Sequence, residues 1–173
     1  MAAFLFLCIV HTGCAHRGPS PTTQAIADPD FVPEYVESVD ARAVIPVGWH
    51  PDPLKSSQAH KHQVWISPTG RTAYGIIHFT LPLPIGHELA LLGFLDNMQH
   101  AEGEVTLISQ QWDPNIEALR FVASGGLYMV RTNLFVRGFE GWAIYAGTLR
   151  NQPIETSELA LAEKARERTQ IGH

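Results

Sequence analysis

The most regular alternation in the chain runs from His87 to Glu102, where apolar Leu91, Phe94, Leu95 and Met98 recur at spacings of three and four among Glu88, Asp96, Asn97, Gln99 and His100. Positions three and four apart share one face of an α-helix, so this stretch predicts a helix with a single buried stripe. Pro82, Pro84 and Gly86 stop the element before it, and Gly103 suits a left-handed helix end. The segments on either side read as strands. His62 to Ser67 is short and rich in β-formers, Ser67-Pro68-Thr69-Gly70-Arg71 supplies turn residues, and Thr72 to Leu81 is the return strand of the hairpin. On that return strand Tyr74, Ile76 and His78 point one way and Ala73, Ile77, Phe79 and Leu81 the other. Apolar residues on both faces mark a central strand, with His78 as a hydrogen-bonded core residue.

Ala43 to Val47 forms an earlier strand that stops at Gly48-Trp49, while Phe31 to Asp40 is mixed and yields no clear element. After the helix come four strand-like runs, Val105 to Trp112, Ile116 to Ser124, Leu127 to Val136 and Trp142 to Leu149. The connections at Asp113-Pro114-Asn115, Gly125-Gly126 and Gly138 to Gly141 are short enough for hairpins, which makes consecutive strands antiparallel neighbours, with the Gly125-Gly126 pair expected at positive φ. Pro153 and Thr156 introduce a last helix, Leu159, Ala162 and Ala165 inward and Glu163, Lys164, Glu167 and Arg168 outward, ending near Gly172. The fold class predicted is α+β: an antiparallel sheet of about six or seven strands with one inserted and one C-terminal helix packed on it.

The first residues follow another pattern. Ala2 to Val10 is almost unbroken apolar and ends at His11-Thr12-Gly13-Cys14. The run is too short for a membrane span and fits the apolar centre of an export signal. Its end resembles the lipobox of bacterial lipoproteins, in which a small residue precedes a cysteine that is lipidated and becomes the mature N-terminus. Gly13 and Cys14 match that pattern. His11 departs from it, standing where Leu is usual, and no Lys or Arg precedes the apolar run. The alternatives are an ordinary secretory signal with Gly13 and Ala15 as the small residues, and a buried N-terminal segment. The expected organisation is a lipoprotein signal peptide over 1–13, a lipidated N-terminus and flexible Pro-, Ser- and Thr-rich tether over 14–30, and one α+β domain over 31–173. Export with lipidation of Cys14 leaves a mature domain without thiols, since Cys8 is the other of the two cysteines. That removes disulfides, thiol nucleophiles and cysteine zinc sites together.

A net charge of −5, from 12 Lys and Arg against 17 Asp and Glu, gives no footprint for nucleic acid. Ile45, Pro46, Gly48 and Trp49, followed by a hairpin with Trp65, Ile66, Ser67, Pro68 and Gly70, then a long strand, a helix, several strands and a last helix, resemble the PsbP-like superfamily. This group includes the PsbP photosystem accessory proteins, the DcrB periplasmic lipoproteins and a eukaryotic nuclear-import cofactor. The resemblance spans about 44–172 and implies a binding, chaperoning or accessory role without enzymatic activity or a cofactor. It supplies no catalytic residue to carry over. The residues that carry it are read as turn formers and core fillers.

Candidate chemistry is sparse. His60 and His62 share a face if they lie on a strand, and His50 is near enough in sequence to add a third metal ligand, which defines the alternative of a metal-binding or metal-trafficking envelope protein. Ser124-Gly125-Gly126 lacks the G-x-S-x-G context of a nucleophile elbow, and no phosphate-binding glycine motif is present. Glu102 and Glu104 read as a helix end and a strand start, not as a glycosidase pair. Trp112, just before a hairpin turn, is the candidate for partner contact. The expected function is therefore an exported accessory protein, held to the membrane by its N-terminal lipid, facing the periplasm with the outer membrane favoured, and binding another envelope protein.

Overall fold

A computed structural model describes residues 28–56 and 61–172; Cys14 and His60 lie outside them, with the segments expected to be signal peptide and most of the expected tether. Ten strands and two helices follow in the order β1 (Phe31–Val36), β2 (Ala41–Pro46), β3 (His50–Pro51), β4 (His62–Ile66), β5 (Thr72–Thr80), α1 (His87–Glu102), β6 (Thr106–Asp113), β7 (Ala118–Ser124), β8 (Tyr128–Arg137), β9 (Glu140–Leu149), α2 (Thr156–Arg168) and β10 (Gln170–Ile171). Seven strands form one sheet in the order β3-β4-β5-β9-β8-β7-β6, with every neighbouring pair antiparallel. A smaller sheet has the order β1-β2-β10. The fold is α+β, as the patterning predicts.

β5 lies inside the large sheet, between β4 and β9, and is covered on both faces because the two helices take opposite sides. On one face Tyr74, Ile76, Trp142 and Ile144 pack against Leu159, Ala162 and Ala165 of α2 and against the small sheet. On the other, Phe121, Leu134 and Ala143 pack against Ala90 and Leu91 of α1. His78 is buried on the α2 face, its ring stacked on Trp142 with centroids 4.5 Å apart. Burial holds its basicity below the ordinary histidine value.

The two short motifs act as local geometry. Trp49 N–H donates to Pro46 O at 3.1 Å and closes the first turn, and the Trp49 side chain is buried. In the hairpin Gly70 N–H donates to Ser67 O at 2.9 Å, Ser67 Oγ accepts from Thr72 N–H at 3.2 Å, and Trp65 stacks on Tyr74. Glu158 of α2 then clamps this turn, accepting from Thr69 N–H at 3.1 Å and Thr69 Oγ1 at 2.6 Å.

Four sequence expectations are corrected. The segment Phe31–Val36 is a strand despite its mixed composition, because β2 supplies a partner for all six residues, Pro33 included. Its position at the edge of the small sheet lets a residue without an N–H fit. His50–Pro51 is a short edge strand beside β4. The last helix stops at Arg168 rather than near Gly172, because Gln170 and Ile171 leave it to pair with Arg42 and Ala41 of β2. Gly125 and Gly126 are not at positive φ. They are small because α1 ends on top of them: a Cβ on Gly125 would lie 2.3 Å from Glu102 Oε2, and one on Gly126 2.4 Å from Glu102 O.

Candidate functional site

α1 covers only part of its face of the sheet. Its buried contacts are with β7, β8 and β9, and a cavity of about 610 Å³ is left between the helix and the floor made by β4, β5 and β9. That volume is in the range of small-molecule sites. Ile77, Phe79, Leu81, Ile85, Phe94 and Met98 give the cavity an apolar wall over much of its length. Leu89 also lines it and is 56% exposed, so the cavity opens to solvent beside that side chain.

Polar side chains gather on the floor and at the other end, and they bond to one another. Tyr145 of β9 lays its ring over Gly75 of β5 and reaches His62 on β4, with Tyr145 OH 2.9 Å from His62 Nε2. Burial pushes the Tyr145 hydroxyl well above its ordinary pKa, so it stays protonated. Lys55, in the loop after β3, donates from Nζ to the hydroxyl of Tyr128 at the start of β8. β4 and β8 are separated by β5 and β9, about 14 Å at the usual strand spacing, so the Lys55–Tyr128 bond arches over the floor. Glu102 completes this end; its Oε2 accepts from Tyr128 N–H at 3.4 Å.

The predicted site residues fall elsewhere, apart from His62. Trp112 is the penultimate residue of β6, 45% exposed, with His87 of α1 packed edge-on against its ring at 4.6 Å. β6 forms the outer edge of the large sheet, and Thr106 to Trp112 are all exposed and uncharged. His50 is exposed and pairs with Ile66, whereas His62 lies four residues further along β4, about 13 Å away, and bonds Tyr145. Among the described residues no three His, Cys, Asp or Glu side chains converge as a metal site. Sequence reasoning did not single out Lys55, Tyr128 or Tyr145. Their signal was weak, because each is one polar tip in a segment read as strand or loop.

These elements define a PsbP-like fold. The chain superposes on the solution structure of cyanobacterial PsbP (CyanoP) from Synechocystis sp. PCC 6803 with a TM-score of 0.58, covering 89% of this chain and 99% of that one, at 8% sequence identity. At that identity the likeness is one of fold. No protein-family profile and no curated protein matches the chain by sequence. None of the described helices is long and apolar enough to cross a membrane.

Proposed function

We propose that this chain is an exported accessory protein of the cell envelope, anchored by a lipid on Cys14, that binds an envelope partner and performs no covalent chemistry. The observation that carries the reading is the free edge of β6. Sheet edges are ordinarily guarded by charges, Pro or short length. The opposite edge of this sheet obeys that rule with the two-residue β3 and its Pro51. β6 has eight residues and no charge before Asp113; one register shift between Leu107 and Ser109 interrupts its pairing with β7, and Trp112, next to its last residue, is half-exposed. Such an edge suits strand addition by a partner, with Trp112 as the anchoring aromatic. The PsbP-like fold supports the accessory role, and the apolar run followed by Gly13-Cys14 supports export with lipidation.

A photoreactive phenylalanine analogue at Trp112, in the full-length chain in native cells, tests this. Illumination is expected to give one dominant adduct with an envelope protein, absent when the same analogue replaces Val32, which is exposed on β1. Intact mass of the product is expected to show an acylated Cys14 as the first residue. An uncut chain without acyl groups overturns the anchoring, and equal adducts from both positions overturn the docking edge.

A further inference from the structure

The cavity under α1 changes in chemistry from one end to the other. Along β5 it is lined from Ala73 to Phe79, six residue steps or about 20 Å. One acyl chain in a bilayer leaflet spans about 15 Å, half the hydrocarbon thickness. The end near Phe79, Leu81, Ile85 and Leu89 is hydrocarbon apart from Thr80, and the end near Ala73 is crossed by Lys55 and Tyr128. Among the described residues, Lys55 is the only Lys or Arg lining the cavity. Its ammonium has three N–H donors and the Tyr128 hydroxyl takes one. Glu102 also lines the cavity at this end, its Oε2 accepting from the Tyr128 backbone N–H at 3.4 Å and lying close to Gly125. Asp52, an acid near Tyr145, caps its own turn by accepting from Leu54 N–H at 3.0 Å.

A second observation concerns α1 itself. Gly93 lies in the middle of the helix, exposed at the border of the cavity; beyond its chain neighbours and the helix's own backbone no atom stands within 4 Å of where its Cβ would be, and its φ is not positive. Glycine inside a helix costs about 1 kcal/mol relative to alanine. Neither packing nor backbone geometry calls for it. Residue 93 is exposed at the border of the cavity, so a side chain there would narrow its opening.

We infer that this cavity binds a single-chain amphiphile of the fatty-acid type, its hydrocarbon tail between α1 and β5 and its carboxylate between the Lys55 ammonium and the Tyr128 hydroxyl. The carboxylate accepts from both groups, replacing their bond to each other. The inference is independent of the β6 edge: adducts at Trp112 without fatty-acid binding leave the accessory reading standing and remove this one.

The test is titration of full-length protein, freed of detergent, with palmitate, hexadecanol and hexadecyltrimethylammonium, read by displacement of a fluorescent polyene fatty acid and by native mass spectrometry. Palmitate is expected to bind saturably at one per chain and more tightly than the other two. Gly93→Leu adds a side chain at the cavity's border, where a Cβ meets nothing beyond the helix's own backbone within 4 Å, and is expected to lower palmitate affinity by about tenfold or more, with the urea midpoint unchanged or raised. Lys55→Gln is expected to lower palmitate affinity by about tenfold while leaving hexadecanol unaffected. Absence of saturable palmitate binding overturns the proposal. So does equal affinity in a folded Gly93→Leu protein, or preference for the cationic amphiphile.

Discussion

Tyr145 occupies the space that a side chain on Gly75 would need: a Cβ at residue 75 would lie 2.3 Å from Tyr145 Cζ and 2.4 Å from its hydroxyl oxygen. The two residues face each other across the β5–β9 pair. The missing side chain lets the Tyr145 ring lie flat across β5 and bond His62 on β4. Three adjacent strands are thereby joined by side chains as well as by their backbone ladders, and the cavity acquires its polar floor.

Gly75→Ala forces the ring aside. Overpacking of this kind costs roughly 1–3 kcal/mol, and urea unfolding is expected to report a loss in that range together with a change in Tyr145 fluorescence. Removing the ring removes the conflict, so the same substitution in a Tyr145→Ala background is expected to cost under about 0.5 kcal/mol. A double-mutant cycle reads the difference as coupling between the two positions. Additive costs would show that the ring does not rest on Gly75.

Glu158 makes stability depend on pH. Burial raises its pKa, but hydrogen bonds from Thr69 and Ser67 stabilise the carboxylate and outweigh burial, leaving the group below its ordinary value of 4.5. With a folded pKa lower than the unfolded one, its contribution is fully present above about pH 4.5 and is lost as pH falls through the folded value. Glu158→Gln is expected to destabilise by about 1–3 kcal/mol at pH 7. Thermal melts of the two proteins should converge as pH falls through that folded value. A constant gap across that window would assign the clamp to packing instead of charge.

Much of the architecture is legible from local chemistry. α1 spans the predicted residues because its apolar spacing is bounded by Pro84, Gly86 and Gly103, and the Thr72 strand shows its two-sided burial in its own residues. What could not be read depends on neighbours. Nothing in residues 140–149 says that β9 inserts between β5 and β8, yet that insertion brings Tyr145 to Gly75. Phe31–Val36 looks irregular until β2 pairs with it. The cavity draws on residues from Lys55 to Gly147, and each, taken singly, looks like an ordinary core or surface position.

Val105 to Trp112 reads as a strand like its neighbours, and from patterning alone Ile108 and Leu134 are equivalent. In the fold Leu134 is fully buried under α1, whereas Ile108 is 55% exposed on β6. Leu134→Ala removes a core side chain and is expected to cost about 2–5 kcal/mol. Ile108→Ala is expected to stay within about 1 kcal/mol of wild type. Denaturant midpoints distinguish the two, and a loss at Ile108 comparable to that at Leu134 would place β6 inside the core and not at a free edge.

Gly93 separates what the fold needs from what the cavity needs. Its backbone is helical, and a methyl group there meets nothing within 4 Å. Gly93→Ala should therefore reduce the freedom of the unfolded chain without straining the folded one, a combination that stabilises by about 0.4–1 kcal/mol. Thermal and urea unfolding are expected to show that gain. A destabilised Gly93→Ala protein would mean that α1 lies closer to the sheet in solution and that residue 93 packs against it. A stabilised one confirms that neither packing nor backbone geometry requires glycine where α1 borders the cavity.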